Sequence, residues 1–425
     1  MNDTISKVGG RLRGIDALRG GAALGVVLYH EVGAKPYPQI KVIWSWLFTP
    51  IWAASSFGYS GVFLFFVISG FCIHLQWAKR RVVNDHVHLD FKSFWTRRIR
   101  RLYPPYLFAL VIYLVVSGIT TKFKVTAFYL WDLVLHLLML HNFDPRSTYS
   151  INGVFWTLAI EEQLYLAYFL LLFLRNRLGW RRTLLICAAT RVGWLFLVLG
   201  VQRSGGVSIP LTEGAAAHWF TWALGALAVE AALGVVALPK WCSRASIGLI
   251  ALLCAVALTQ ALPLMESHRI LHDSAWLLLH PLWGVAFFII VNCLVVAEKK
   301  WRKMLRAPAL VRGLAFIGLF SYSLYLIHEL VLMEAYRFEK LGLSETFVAV
   351  VIMTPATVLC AWIFFVCFER PFLSRPWLGG FASKVQADAV ASYVAMPQGG
   401  AVPLLGAESS PEPLAVSIFA KIARK

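Results

Sequence analysis

Charge is scarce in this 425-residue chain. Only 15% of its residues are charged and 59% are hydrophobic, where a water-soluble domain carries roughly 25% and 45–50%. That excludes an ordinary cytosolic globule and a disordered chain. Acidic residues are the scarcer kind: 22 Asp+Glu against 40 Lys+Arg, a formal net charge of +18. The seven cysteines include no C-x-x-C pair and mostly sit in apolar runs. They read as small core hydrophobes, which excludes a disulfide-stapled secreted domain. The sequence has no G-x-S-x-G, no P-loop and no G-x-G-x-x-G, hence no nucleophile elbow and no glycine loop cradling a phosphate. The first residues, MNDTISKVGGRLRG, are polar and lack a cleavable signal pattern, so the first apolar run reads as an uncleaved span.

What the chain has in abundance is apolar length. Mean hydropathy is +0.67, and 17 Trp, 14 Tyr and 29 Phe suit aromatic belts at two membrane interfaces. A span needs roughly 20 mostly apolar residues. Eleven runs qualify as candidates, near 15–34, 57–77, 102–120, 126–142, 153–174, 183–201, 214–238, 246–263, 274–297, 312–333 and 346–368.

The segments between the runs decide which of them cross. Eight Lys/Arg fall in Lys79–Arg101, four in 175–182 and six in 299–312. With 1–13, 240–244 and 370–375 this set holds 25 basic residues, and the remaining loops hold nine. The two sets alternate only if 126–142 does not cross, because cytoplasmic loops carry the Lys/Arg excess. The expectation is an all-α bundle of ten spans with both termini cytoplasmic. Residues 126–142, which carry Asp132, His136 and His141, are then interfacial or re-entrant. Residues 1–14 form a cytoplasmic segment, 15–378 the membrane domain, and 379–425, rich in Ala, Pro, Ser and Gly, a flexible cytoplasmic tail. The basic residues sit between spans rather than on one soluble face, so a nucleic-acid partner is not expected.

Ionisable residues inside spans are costly and mark function by default. Arg19 and His30 lie eleven residues apart in the first run. At about 100° per residue that is three turns plus roughly 20°, so both project from one face, roughly 16–17 Å apart along the axis. Glu161 and His328 fall at a similar outer depth in their own spans, so His30, Glu161 and His328 can converge. Glu162 must point elsewhere on the same helix. Arg97, Arg98, Arg100 and Arg101 precede the third span; such a run anchors topology, and arginine forks also suit phosphate. The pairs His268/His272 and His86/His88 have ligand-like spacing without a carboxylate pattern beside them, and no metal is expected there or elsewhere.

In this order along 15–373 the sequence resembles the acyltransferase-3 family of integral-membrane acyltransferases. Arg19 and His30 match its Arg-ten residues-His motif. GVFLFFVISGF (Gly61 to Phe71) matches its second-span signature, and Arg98 and Arg101 match its Arg-x-x-Arg motif. FWTLAIEEQLY matches the segment ending in Glu161, while SYSLYLIH and ERPF match the closing motifs. The resemblance implies a ten-span domain that passes an acyl group, acetyl by expectation, from cytoplasmic acyl-CoA to a hydroxyl. The acceptor would be a carbohydrate at or beyond the outer face, in a bacterial inner membrane. The residues after the last span are too few for the esterase-like domain of some members, which implies the stand-alone form. On this reading His30 is the base, with Glu161 or Glu31 orienting it and His328 beside it. Arg19, Arg98 and Arg101 hold the acyl-CoA. A glycosylated small metabolite as acceptor, a homo-oligomeric state and, outside the enzymes, a proton-coupled transporter stay open.

Overall fold

The computed structural model describes residues 12–34, 42–83, 87, 89–121, 126–205, 214–265, 267–303, 307–332 and 348–373. His86, His88 and the expected tail at 379–425 lie outside the described residues. Among the described residues the chain is helical and contains no strand.

Helix α1 (Arg13–Leu28) opens without a side-chain cap of its own. The Glu298 carboxylate supplies one instead, accepting from the Arg13 and Gly14 N–H groups at 2.9 Å each. This satisfies two orphan donors and places negative charge at the positive end of the helix dipole. A π turn, Tyr29–Gly33, continues α1 and carries His30. There follow α2 (Val42–Ser55), α3 (Gly61–Val83), α4 (Phe91–Thr121) and α5 (Ala127–Leu137). Next come α6 (Trp156–Arg203), α7 (Ala215–Ala232), α8 (Ala245–Ala261), α9 (Arg269–Lys303), α10 (Ala309–Ile317), α11 (Ser321–Leu332) and α12 (Thr354–Phe364).

Five helical stretches are long and apolar enough to cross a membrane: Thr49–Val82, Phe91–Ile119, Trp156–Arg203, Ser274–Trp301 and Val350–Phe372. The pair α10 and α11, bent by 71°, makes a sixth if it is one broken span. Large apolar side chains stand on the outside, Ile119 at 77% and Phe196 at 71% exposure, as lipid-facing positions require. Helix α2 was not among the expected elements. Its sequence, VIWSWLFTPIWAAS, is apolar but only 14 residues long, too short to register as a span.

Helix α5 has 11 residues, about 16 Å of rise against a hydrocarbon core of about 30 Å. It therefore lacks the length to cross, in line with the loop charges. Asp132 and His136 are buried on it, and the two side chains face each other at 3.2 Å. Past α5, Trp131 and Arg146 both donate to Asp144. The Arg146 hydrogen bonds hold the Asp144 carboxyl down at about 2.

Helix α6 spans 48 residues only because its two halves join at Gly179, whose φ of +72° is left-handed. Glycine adopts that region without the clash a Cβ brings. The run RNRLGWRR (Arg175–Arg182), expected as a loop, is this break. A buried polar cluster straps it down. Arg175 donates to both Glu230 oxygens at 2.9 and 2.7 Å, and Trp180 donates at 2.8 Å. His74, fully buried on α3, bonds Glu230 at 2.9 Å and the Tyr168 hydroxyl at 3.1 Å.

Helices α3 and α7 pack at the closest possible range. A Cβ on Gly70 would sit 2.0 Å from the Trp222 carbonyl oxygen, and one on Gly225 1.9 Å from that of Val67. Small residues at such crossings are how membrane helices gain packing without a hydrophobic drive. Two apolar cores result. One is built on α3, α6, α7 and α9, the other on α1, α4, α11 and α12. Val62 and Phe65 on α3 pack against both.

Candidate active site

A cavity of about 130 Å³ opens where the two cores meet, room for on the order of ten waters by that measure. Five helices line it: α1 through Arg19, α3 through Ser69 and Cys72, α4 through Arg98 and Arg101, α6 through Thr157, Glu161 and Tyr165, and α11 through Ser321, Tyr322 and Tyr325. Three guanidinium groups thus share one chamber. Arg98 lies over the Phe94 and Tyr165 rings at 5.5 and 5.9 Å, and its buried Nε has no partner among the described residues.

Helical spacing explains which arginines point inward. Arg98 and Arg101 are three apart on α4 and share a face. Arg97 and Arg100 fall on the other side and are exposed. The four-arginine run therefore divides into a pair lining the cavity and a pair left at the surface.

Glu161 closes the polar side of the chamber. Ser69 Oγ donates to it at 2.7 Å, Tyr165 donates a very short bond, and Trp222 Nε1 donates to Ser69 at 3.2 Å. Glu162 is absent from the lining, as the spacing predicts. Tyr325 also lines the chamber. Its hydroxyl is 2.7 Å from Thr157 Oγ1 and donates to the Val154 carbonyl at 3.2 Å.

One turn beyond Tyr325 is His328, fully buried, with ring centroids 5.7 Å apart. His328 Nδ1 donates to the Tyr325 carbonyl at 2.8 Å, because a carbonyl can only accept. His30 Nδ1 donates in the same way to the Val26 carbonyl at 2.9 Å. His328 Nε2 then lies 3.4 Å from His30 Nδ1, with ring centroids 5.1 Å apart. On the far side, His30 Nε2 stands 3.9 Å from Glu329 Oε1, and the Gly153 N–H fixes the other Glu329 oxygen at 2.8 Å.

The sequence-predicted residues thus fall into two groups. Arg19, Arg98, Arg101 and Glu161 line the cavity, while His30 and His328 pair beside it. Arg19 shares the cavity lining with Tyr322 and Tyr325 of α11, and His30 meets His328 further along that helix. Glu161 is one turn along α6 from Thr157, whose partner Tyr325 is itself one turn along α11 from His328. The carboxylates expected to orient His30 are engaged elsewhere. Glu161 accepts from Ser69 and Tyr165, and Glu31 accepts from Thr354 and Thr357. The acid facing His30 is Glu329, which sequence reasoning missed. Its position next to His328 in SYSLYLIHEL was the available signal.

Comparison with known proteins gives the same outline. The family model described as an acyltransferase domain (Acyl_transf_3) matches residues 12–366. The putative peptidoglycan O-acetyltransferase YrhL of Bacillus subtilis (strain 168) is 24% identical over 406 residues, 85% of this chain and 55% of that protein. The peptidoglycan O-acetyltransferase OatA of Listeria monocytogenes is 31% identical over 38% of this chain and 24% of its own length. The O-acetyltransferase OatA of Staphylococcus aureus (strain NCTC 8325 / PS 47) is 29% identical over 44% and 30%. The chain therefore spans about half the length, or less, of these curated relatives. No solved structure matches it.

Proposed function

The chain belongs to the acyltransferase-3 domain family, and from that premise we propose that it is an integral-membrane O-acetyltransferase. It takes acetyl from a cytoplasmic acetyl-CoA and delivers it to a hydroxyl of a cell-envelope carbohydrate, in the inner membrane of a bacterium. The observation that carries this reading is the chamber that three arginines share with Tyr325, itself one turn from the His30–His328 pair. We place ten crossings in the bundle, each run given above except 126–142, with both termini cytoplasmic.

Acyl transfer to a hydroxyl needs a base for its proton and an electrostatic setting for the tetrahedral oxyanion. His30 is the base. Its Nδ1–H is committed to the Val26 carbonyl, which leaves the Nε2 lone pair free to take a proton. Glu329, 3.9 Å from that nitrogen, favours the imidazolium that forms. His328 holds the ring in place as a positioning residue. Arg98 and Arg101 bind the phosphates of the donor at the basic end of α4, and Arg19 meets the thioester arm within the chamber. Glu161 fixes Ser69 and Tyr165 as the polar wall along which that arm lies.

The test is purified protein with labelled acetyl-CoA and a soluble carbohydrate acceptor. CoA release that depends on the acceptor, with label on the acceptor, supports the reading. A proton-coupled transporter, the other class open from the sequence, instead gives proton-driven flux in liposomes and no CoA release.

A further inference from the structure

We propose that His30, His328 and Glu329 form a binding site for one zinc-class divalent ion, and that its occupancy shuts off acyl transfer. A ligand atom from each residue lies within 4.8 Å of the other two. In both histidines Nδ1 is bound to a backbone carbonyl, Val26 for His30 and Tyr325 for His328. Metal-ligating histidines are held this way, since the second nitrogen's hydrogen bond fixes the tautomer that presents a lone pair at the first. Glu329 is prepared likewise, with Oε2 occupied by the Gly153 N–H and Oε1 turned toward His30.

The consequence is three lone pairs in one small space, on His30 Nε2, His328 Nε2 and Glu329 Oε1, while the N–H nearest His328 Nε2, on His30 Nδ1, is already given to the Val26 carbonyl. Such a nest is relieved by positive charge. A set of two imidazoles and one carboxylate, with ligand atoms within 4.8 Å of one another, suits zinc with a fourth position left for solvent. At Zn–N distances of about 2.0–2.1 Å the ligand atoms of a tetrahedron are roughly 3.3–3.4 Å apart. The His30 Nε2–Glu329 Oε1 separation of 3.9 Å needs a small inward shift, and His328 Nε2, which lies 3.4 Å from Nδ1 of the His30 ring, needs a turn of that ring to meet Nε2 at the same distance. His30 and Glu329 keep 28% and 22% of their side chains exposed, so an ion can reach them. The inhibitory half rests on His30 being the base: an ion on His30 Nε2 occupies the lone pair that must accept the hydroxyl proton.

The experiment uses the full chain in detergent, stripped with chelator and then exposed to Zn²⁺, or to Co²⁺ for its visible spectrum. After desalting, one ion per chain and a four-coordinate Co²⁺ spectrum are expected. Glu329→Gln and His328→Ala should weaken uptake on the order of 100-fold, while a His268→Ala/His272→Ala control keeps it. If His328→Ala fails to fold, Glu329→Gln alone carries the test. CoA release should fall as the site fills and return on chelation. No retained ion, or equal retention in Glu329→Gln, overturns the site. An ion that binds there and raises CoA release overturns the inhibition. Turnover retained in His30→Ala sinks the base reading and leaves the site to stand on the uptake data.

Discussion

His30 and His328, 298 residues apart in sequence, bring Nδ1 of the first to within 3.4 Å of Nε2 of the second. Each is held by a carbonyl of its own helix, so the pair is set by backbone rather than by rotamer chance. A pair fixed in this way supports a single directional proton acceptor at His30 Nε2.

Replacing that acceptor should stop chemistry without unfolding the bundle. His30→Ala is expected to lower turnover by about 10²–10⁴-fold, the usual worth of a general base, with an unchanged size-exclusion profile. Acceptor-dependent CoA release near the parental rate would remove His30 from the mechanism.

The two halves of the arginine run should separate kinetically. Arg98→Ala with Arg101→Ala is expected to raise the acetyl-CoA KM at least tenfold and to lower kcat less. Arg97→Ala with Arg100→Ala, on the exposed side of α4, should leave KM within about twofold. An equal effect of the two double variants would return all four arginines to the role of topological anchors.

Glu230→Gln should destabilise the protein strongly. It removes the charge that pairs with Arg175 in a buried setting, and losing one partner of a buried pair costs about 3–5 kcal/mol. The thermal midpoint in detergent is the readout. A midpoint unmoved by the substitution would mean that the strap at the α6 break contributes nothing to the fold.

Gly225→Val should be among the most damaging apolar substitutions in the chain. Its Cβ would meet the Val67 carbonyl oxygen at 1.9 Å, which forces α3 and α7 apart, and overpacking costs about 1–3 kcal/mol or more. Gly193→Val, with nothing within 4 Å of its Cβ position, is the matched control. Equal yields of monodisperse protein from the two would refute the close crossing.

Much of this was legible from residue order. Basic loops alternating with apolar runs identified a membrane bundle and pointed to 126–142 as a segment that does not cross; the structure gives that stretch an 11-residue helix, α5. Eleven-residue spacing put Arg19 and His30 on one face; His30 meets His328 of α11, and Arg19 lines the cavity with Tyr322 and Tyr325 of that helix. Contacts between distant spans were not legible. Glu161 looked like a partner for His30 because both lie at a similar depth, yet depth leaves rotation about the helix axis open. Rotation turns Glu161 toward Ser69 and Tyr165. Glu329 was overlooked because it stands next to His328 in sequence, and adjacent helical residues normally face about 100° apart. The π turn at Tyr29–Gly33 likewise has no period in the sequence that announces it.

Tyr325 belongs both to the wall of the arginine chamber and to the surroundings of His328, and its hydroxyl is tied to α6. On the proposed function, an acetyl group handed to His30 passes a clamped aromatic ring on its way. Such a passage suits a two-carbon group better than a bulkier one.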